Sequence, residues 1–433
     1  EKEDKLYFGQ FKRSELLSIT NVEEIMASID RIDDIFYTNY SNERNKILKD
    51  EILSTIKVLD EYLSNMNQLK KQEISFIYFS KSFLLDKLPE YSKVAEDSAN
   101  KSLKLNPFNA DSYNCIAHII WKKGDINLAQ NYFNQALQIN GKDKSTLRNL
   151  SMILRAKKEE DFSEKINIST ESVKLAKSAV DLDIKDSDSW YILGNAYFHN
   201  AFLNKNQYED LQKAVNSYNM SEKHQKNYKN PDLYYNRAMV HLYMENFTKA
   251  YIDLAITQSV DPNLKAGEQA ENVAQLVTGF YRQIKNQCSV KSKKISQIVA
   301  SIPVNVNTKS GYELTDIESY SKGQTKKILS GKIIQFVEKS MDIPLSYICS
   351  DSKGCFFLAS IYNLSKEFKD QVKLCVSNIV IIDPVVNKAS FSYNNKEYEY
   401  FCIKVTDPSK LLLDGKHCSY YSSTSELSST FFT

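Results

Sequence analysis

Charged, amide and aromatic side chains recur on one helical face through the middle of the chain, and their mixture suits binding of a peptide. Asp111, Asn114, His118, Trp121 and Lys122 come first. Arg148, Met152 and Arg155 follow, then Asp188, Tyr191, Asn195, Phe198 and His199, then Asp232, Tyr235, Met239 and Leu242. An arginine grips a carboxylate through a planar fork of N–H donors, and an aspartate takes a guanidinium or ammonium group. Arg155 together with Asp188 and Asp232 therefore fits a short extended peptide carrying both an acid and a base. Trp121, Tyr191, Phe198 and Tyr235 offer aromatic walls to an apolar side chain. A groove for a long acidic chain would be mostly basic. The competing reading pairs Arg155 with the aspartates across turns and leaves nothing for a ligand.

The residues do not assemble a reaction. No phosphate-binding loop, nucleophile elbow, His-Glu-x-x-His or kinase set occurs, and no nucleophile stands beside a base at a readable spacing. His118 and His199 lack a fixed partner and read as core or rim. Seven cysteines without a Cys-x-x-Cys pair read as free thiols in a reducing compartment, and the five histidines are not spaced with them for zinc. No metal or cofactor is expected, and the chain reads as a binding protein, not an enzyme. Its 56 Lys and Arg nearly cancel 54 Asp and Glu, which argues against coating DNA by bulk charge. Glu1 to Gln10 lack the apolar stretch of a signal peptide, and no apolar run of about 18 residues suggests a membrane span.

The elements that must present these side chains repeat. Tyr113 and Leu147, Ile116 and Leu150, Ile120 and Leu154, and Ala95 and Ala129 each lie 34 residues apart, the period of the tetratricopeptide helix-turn-helix unit. The unit from Ala110 fits best, with Tyr113, Ile116, Ala117, Gly124, Ala129, Phe133 and Ala136 in step. Later units carry insertions near Lys157 to Lys165 and Leu203 to Glu209. The unit from Pro231 to Pro262 has Arg237 where leucine is expected, a departure that packing alone does not explain. With few Gly and Pro (11 and 8 in 433 residues), helices dominate. The expected layout is mainly α with a C-terminal β domain. Residues 1–90 form a helical cap of atypical repeats with Ile25, Ile29, Ile32, Ile35 and Phe36, then Ile47, Ile52, Ile56, Leu59 and Leu63, on its apolar faces. Residues 91–300 form the repeat array, ending in one long capping helix over 266–300. A linker covers 301–319, an OB-fold 320–415 and a tail 416–433.

The β assignment rests on a change of period from 3.6 towards 2 after Pro303. Ile328 to Val337, Leu345 to Cys349, Cys355 to Tyr362, Val372 to Ile382, Ser390 to Tyr393 and Tyr398 to Val405 read as strands, with Asn394-Asn395 as a turn and a short helix at Ser365 to Phe368. Strands with a helix after the third give an OB-fold order. Tyr347, Phe356, Phe357 and Tyr362 are candidates for base stacking, about half of them expected inside the barrel. Arg282, Lys285, Lys291, Lys293 and Lys294 form one basic cluster and Lys322, Lys326, Lys327 and Lys332 another. Either could grip phosphates or serve as a nuclear import signal.

Trp121 to Asp125, Asn149 to Arg155, Ser189 to Asn195 and Asn230 to Leu233 resemble stretches of the tetratricopeptide repeat protein 5 family, as does Val290 to Lys294. The resemblance covers roughly residues 80–420 and implies a repeat array followed by an OB-fold. It implies recognition of the Met-Arg-Glu-Cys or Met-Arg-Glu-Ile start of nascent tubulin on the ribosome, leading through a decay effector to tubulin mRNA decay. It also implies an alternative, a nuclear stress-responsive transcription cofactor scaffolding an acetyltransferase coactivator and a transcription factor. The family's peptide-binding arginine falls on Arg155, an aspartate pairing with the peptide's Arg on Asp232, and its ribosome-contacting lysines on Lys291 and Lys293, beside Lys294. A groove glutamate of the family falls on Ala266, with Glu268 the nearest acid. Cytoplasm and nucleus are the implied locations. A monomer without membrane contact is the expected state. A chaperone cofactor gripping C-terminal carboxylates fits less well, because paired Lys and Arg positions are missing.

Overall fold

The computed structural model describes residues 28–29, 31–32, 44–64, 69–203, 207–225, 228–304, 311–321, 323–338, 344–365 and 367–421. Two compact units divide the chain. The first holds 1–200, 213–233 and 259–264, the second 201–212, 234–258 and 265–433.

In the first unit these helices follow one another: α1 (Arg44–Ser64), α2 (Lys71–Asp86), α3 (Lys93–Leu105), α4 (Ala110–Lys122), α5 (Ile126–Ile139), α6 (Lys144–Ala156), α7 (Phe162–Leu182) and α8 (Ser187–Asn200). Each start from α3 to α7 has a side-chain cap. Ser92, Asn109, Asp125, Asp143 and Asp161 accept backbone N–H groups that the first turn leaves without partners. Sequential helices pair as hairpins, α2 with α3, α4 with α5 and α6 with α7. Small residues let them close: Ala95, Ala99, Ala117, Ala129 and Ala136 are buried, with Phe133 filling the space between them. The lysine- and glutamate-rich insertion after Ala156 is mostly absorbed as added length in α7, which runs 21 residues.

The cap reading needs one correction. Ile52, Ile56 and Leu59 are buried, but Ile47 is 40% exposed and Leu48 is buried in its place. Stepping back by four from Ile52 lands on Leu48, so the apolar stripe of α1 runs through Leu48. Ile29 and Ile32 are buried. Ile25, Ile35 and Phe36 lie outside the described residues, as do 204–206 of the second insertion.

Helices α9 (Gln207–His224) and α10 (Pro231–Tyr243) are divided between the units. The second unit continues with α11 (Phe247–Val260), α12 (Ala266–Lys285) and α13 (Ser292–Ala300). The expected single helix over 266–300 is therefore two. Gln287, Cys288 and Ser289 take positive φ angles of 47°, 52° and 57°, a left-handed turn in which an α-helix cannot continue. Arg237 also finds its reason here. Its Nε and Nη2 donate to both carboxylate oxygens of Asp253 on α11 at 2.8 Å, and both side chains are buried. A two-pronged ion pair replaces the expected leucine contact.

The barrel strands are β1 (Glu313–Thr315), β2 (Lys327–Phe336), β3 (Leu345–Asp351), β4 (Phe356–Ile361), β5 (Asn378–Ile382), β6 (Val386–Tyr393), β7 (Lys396–Val405), β8 (Leu411–Leu413) and β9 (Lys416–His417), with α14 (Glu367–Gln371) after β4. β2, β3 and β4 form an antiparallel meander, β2 also pairs antiparallel with β5, and β4 pairs parallel with β7. This is the OB-fold order, closed over Leu329, Ile333, Tyr347, Phe357, Ala359, Phe368 and Ile403. The strand expected from Val372 is confined to Asn378–Ile382. Before it, Ser377 N–H donates to Lys373 O at 2.8 Å around Cys375, whose φ is 60°. The β6–β7 turn is as expected: Asn394 and Asn395 have φ 49° and 59°, the signs a two-residue type I′ hairpin needs.

The other face of β3 and β4 is covered. Ser346, Ile348, Ser350, Leu358, Ser360 and Tyr362 alternate outward, yet every one is buried. Within this unit Tyr362 OH donates to Tyr243 O at 2.8 Å and Ser346 Oγ to Glu245 at 2.9 Å. Phe280 and Tyr281 of α12 meet Tyr400 and Tyr398 of β7 edge-on. Tyr347, Phe356, Phe357 and Tyr362 are thus all buried, where half were expected to face solvent. Helices occupy the face on which an OB-fold usually stacks bases.

Candidate functional site

The first unit gathers six of the singled-out residues. Arg155, in the last turn of α6, is half-buried. Its Nη1 donates to Ser151 O at 3.1 Å, Ser151 Oγ at 2.7 Å and Ser172 Oγ at 2.9 Å. No carboxylate pairs with it among the described residues. Burial lowers its pKa to about 10, with Tyr218 and Tyr191 opposing the shift, so it stays a full cation at neutral pH. Arg148, two turns earlier, pairs with Asp186 instead. The reading in which Arg155 pairs with aspartates across turns therefore describes Arg148, not Arg155.

Around Arg155, Tyr218 OH donates to Asn195 Oδ1 at 2.7 Å, and Asn195 in turn hydrogen-bonds Tyr191. The two tyrosine rings lie 6.2 Å apart. Burial, then the charge of Asp232, raises the Tyr191 pKa, so its phenol keeps its proton. Asp188, in the first turn of α8, has its pKa raised by burial, with Arg148 opposing. Met152 packs beside Tyr191 against Ala176, Ile192 and Leu193. Asp232 is exposed and close enough for its charge to act on Tyr191. The site thus combines a half-buried cation, a tyrosine–asparagine–tyrosine relay and two carboxylates. Gly194 makes the relay possible, because a Cβ there would sit 2.6 Å from the Tyr218 ring.

Other candidates stand elsewhere. Trp121 stacks on His118 with ring centroids 6.4 Å apart, and Lys122 pairs with Asp86 at 2.8 Å. Burial lowers the His118 pKa and takes His199 to about 4, with Ser169 Oγ 3.1 Å from His199 Nδ1; both are half-buried. Tyr235 belongs to the second unit, where Gln269 Nε2 donates to its hydroxyl at 2.9 Å. Ala266 is buried at the start of α12, and Glu268 two residues on is exposed. Lys291, Lys293 and Lys294 are exposed where α13 begins, as are Arg282 and Lys285 at the end of α12, and none makes an ion pair among the described residues. Of the second basic cluster, Lys327 pairs with Glu313 at 2.6 Å and Lys332 is buried, donating to Ser301 Oγ at 2.8 Å, while Lys326 is exposed and Lys322 lies outside the described residues.

Sequence reasoning missed Ser151, Ser172 and Tyr218. Ser151 and Tyr218 occupy repeat positions that packing reserves for a small and an aromatic residue. Ser172 lies in the helix beyond the insertion, where the repeat pattern slips out of register.

Residues 312–425 match the family model described as the tetratricopeptide repeat protein 5 OB fold domain, and residues 110–143 match a tetratricopeptide repeat. Tetratricopeptide repeat protein 5 of Mus musculus is 26% identical over 418 residues, covering 91% of this chain and 93% of the relative. The Homo sapiens protein is 25% identical, covering 92% and 93%. Among solved structures, a thermophilic TPR protein of Thermus thermophilus covers 46% of this chain and 98% of its own at 16% identity, with a TM-score of 0.39.

Proposed function

We propose that this chain, similar to tetratricopeptide repeat protein 5 through repeats and barrel alike, is an adaptor whose repeat groove reads the start of nascent tubulin. The coarse part is plain: a tetratricopeptide array with an OB-fold is a protein-binding scaffold. The finer part is carried by Arg155. A half-buried guanidinium held only by neutral serine groups asks for an anion, and the third residue of Met-Arg-Glu supplies a carboxylate. Asp232 is the candidate partner for the peptide's arginine. Asp188, Tyr191, Asn195 and Met152 surround the backbone and the methionine, and Trp121 is a further candidate wall. Lys291, Lys293 and Lys294 supply unpaired ammonium groups suited to ribosomal RNA phosphates, which are read without sequence preference. The decay step would then be recruited by surfaces outside the groove, in the cytoplasm where ribosomes work.

The test is a peptide titration. Truncating one partner of a buried charge pair costs about 2–5 kcal/mol. Arg155→Ala should lose at least about ten-fold in affinity for a Met-Arg-Glu-Ile peptide. Equal binding by variant and parent would remove the assignment.

A further inference from the structure

We infer that Ser151 and Ser172 are positioning residues that aim Arg155 while leaving its charge uncompensated. This rests on the groove reading above and names what makes that site selective for an acid.

The hydrogen bonds close on themselves. Ser172 Oγ donates to Ser151 O at 2.9 Å, and the two hydroxyl oxygens lie 3.0 Å apart, so Ser151 can donate to Ser172. With both protons so placed, both oxygens present lone pairs to Arg155 Nη1, which reaches them at 2.7 and 2.9 Å. Both serines are fully buried. Nη1 is thereby anchored by two helices at once, α6 and α7. Nε and Nη2, with the three remaining N–H donors, make no hydrogen bond among the described residues. That side of the guanidinium is the fork that grips a carboxylate. A carboxylate in place of either serine would fix the arginine equally well but would cancel its charge. Two hydroxyls fix it and leave the charge for the ligand.

A closely related interlock, in which each hydroxyl donates to the other residue's carbonyl, occurs without an arginine. Ser187 Oγ donates to Ser221 O at 2.9 Å and Ser221 Oγ to Ser187 O at 2.8 Å. Ser75 and Ser102 do likewise at 3.0 and 2.9 Å. The pair is thus a recurrent way of joining the two helices of a hairpin, and at 151 and 172 it also holds a cation. Ser221→Ala therefore measures what losing such a pair costs when nothing is being aimed.

The experiment compares two peptides, Met-Arg-Glu-Ile and Met-Arg-Gln-Ile, on the full-length protein. The readout is their ratio of dissociation constants, with melting temperature followed alongside. Alanine is the residue the repeat tolerates at close helix contacts, so the double variant Ser151→Ala/Ser172→Ala is expected to fold. Its preference for the acid should fall at least about three-fold, because the loosened guanidinium loses orientation. Affinity for the glutamine peptide should stay within about two-fold. Ser221→Ala should shift stability and leave the ratio alone. An unchanged ratio in the double variant overturns the inference, and so does an equal loss for both peptides, which marks a purely structural role. Arg155→Ala separates the levels: it should bring the ratio near one. If Arg155→Ala leaves the ratio intact, the groove reading and the inference fall together. If only the serine variant does, the inference alone falls.

Discussion

Arg237 shows how far a single residue can depart from its repeat pattern and remain consistent with the fold. Its fork meets Asp253 in a buried pair, so Arg237→Leu, which restores the repeat's usual residue, takes the two-pronged guanidinium contact from a buried carboxylate. Breaking such a pair costs about 3–5 kcal/mol, whereas replacing both members by apolar groups is often neutral. Chemical denaturation should therefore show Arg237→Leu strongly destabilised and Arg237→Leu/Asp253→Leu largely recovered. From the sequence this arginine read as an anomaly, because its partner lies sixteen residues away on the other helix of the hairpin. Arg155 stood out from its repeat position alone, whereas its serine anchors were hidden under packing positions. At the same scale the histidines set a pH dependence. Burial lowers the pKa of His199 to about 4, and of His241 likewise to about 4, against an ordinary 6.5. The unfolded chain then takes up protons first, so stability is complete above pH about 6.5 and is lost as pH falls towards 4. Melting temperature should drop between pH 6.5 and 5, and His199→Gln should make that drop shallower.

Among elements, the joint between α12 and α13 bears most directly on the proposed function. Three successive left-handed residues end one helix, and the next begins with Lys291, Lys293 and Lys294 in solvent. The period of the sequence ran on through this joint because nothing in it is a helix breaker: Gln287, Cys288 and Ser289 are ordinary residues placed at positive φ. Changing the three lysines to glutamate should abolish ribosome co-sedimentation. For every phosphate no longer neutralised, the slope of log affinity against log salt should fall by about 0.7–0.9. Peptide affinity should stay near the parent value. Sedimentation that persists at physiological salt would make the lysines a plain solvated surface. The β6–β7 hairpin was readable because Asn-Asn tolerates the φ signs its turn needs. Asn395→Gly should stabilise the protein by a few tenths to about 1 kcal/mol, measured as a shift in the denaturation midpoint.

For the whole molecule, the periodicities of 34 and of 2 were enough to place an array before a barrel. They said nothing of what covers the barrel, because pairing between distant segments leaves no period. The buried outward set of β3 and β4, among them Ile348, Leu358 and Tyr362, has a measurable result. A single-stranded oligonucleotide titrated into the full chain at physiological salt should leave tyrosine and tryptophan fluorescence unchanged, since no aromatic platform on these strands is open. A fragment beginning at residue 312 should bind a hydrophobic dye or aggregate where the full chain does neither. The same arrangement bears on how such a protein can change over generations. Repeat arrays usually lengthen by duplication of a unit, and a terminal unit with a free face accepts a copy readily. Here the last hairpin, with Tyr243, Met244 and Glu245 at its turn, shares its hydrogen bonds with Tyr362, Lys404 and Ser346 of the barrel. A copy added after it would have to displace a folded domain. Growth is left to the interior, where the tolerated insertions already lie, and the spacing from the final hairpin to the barrel is the part of the chain that descent should hold constant.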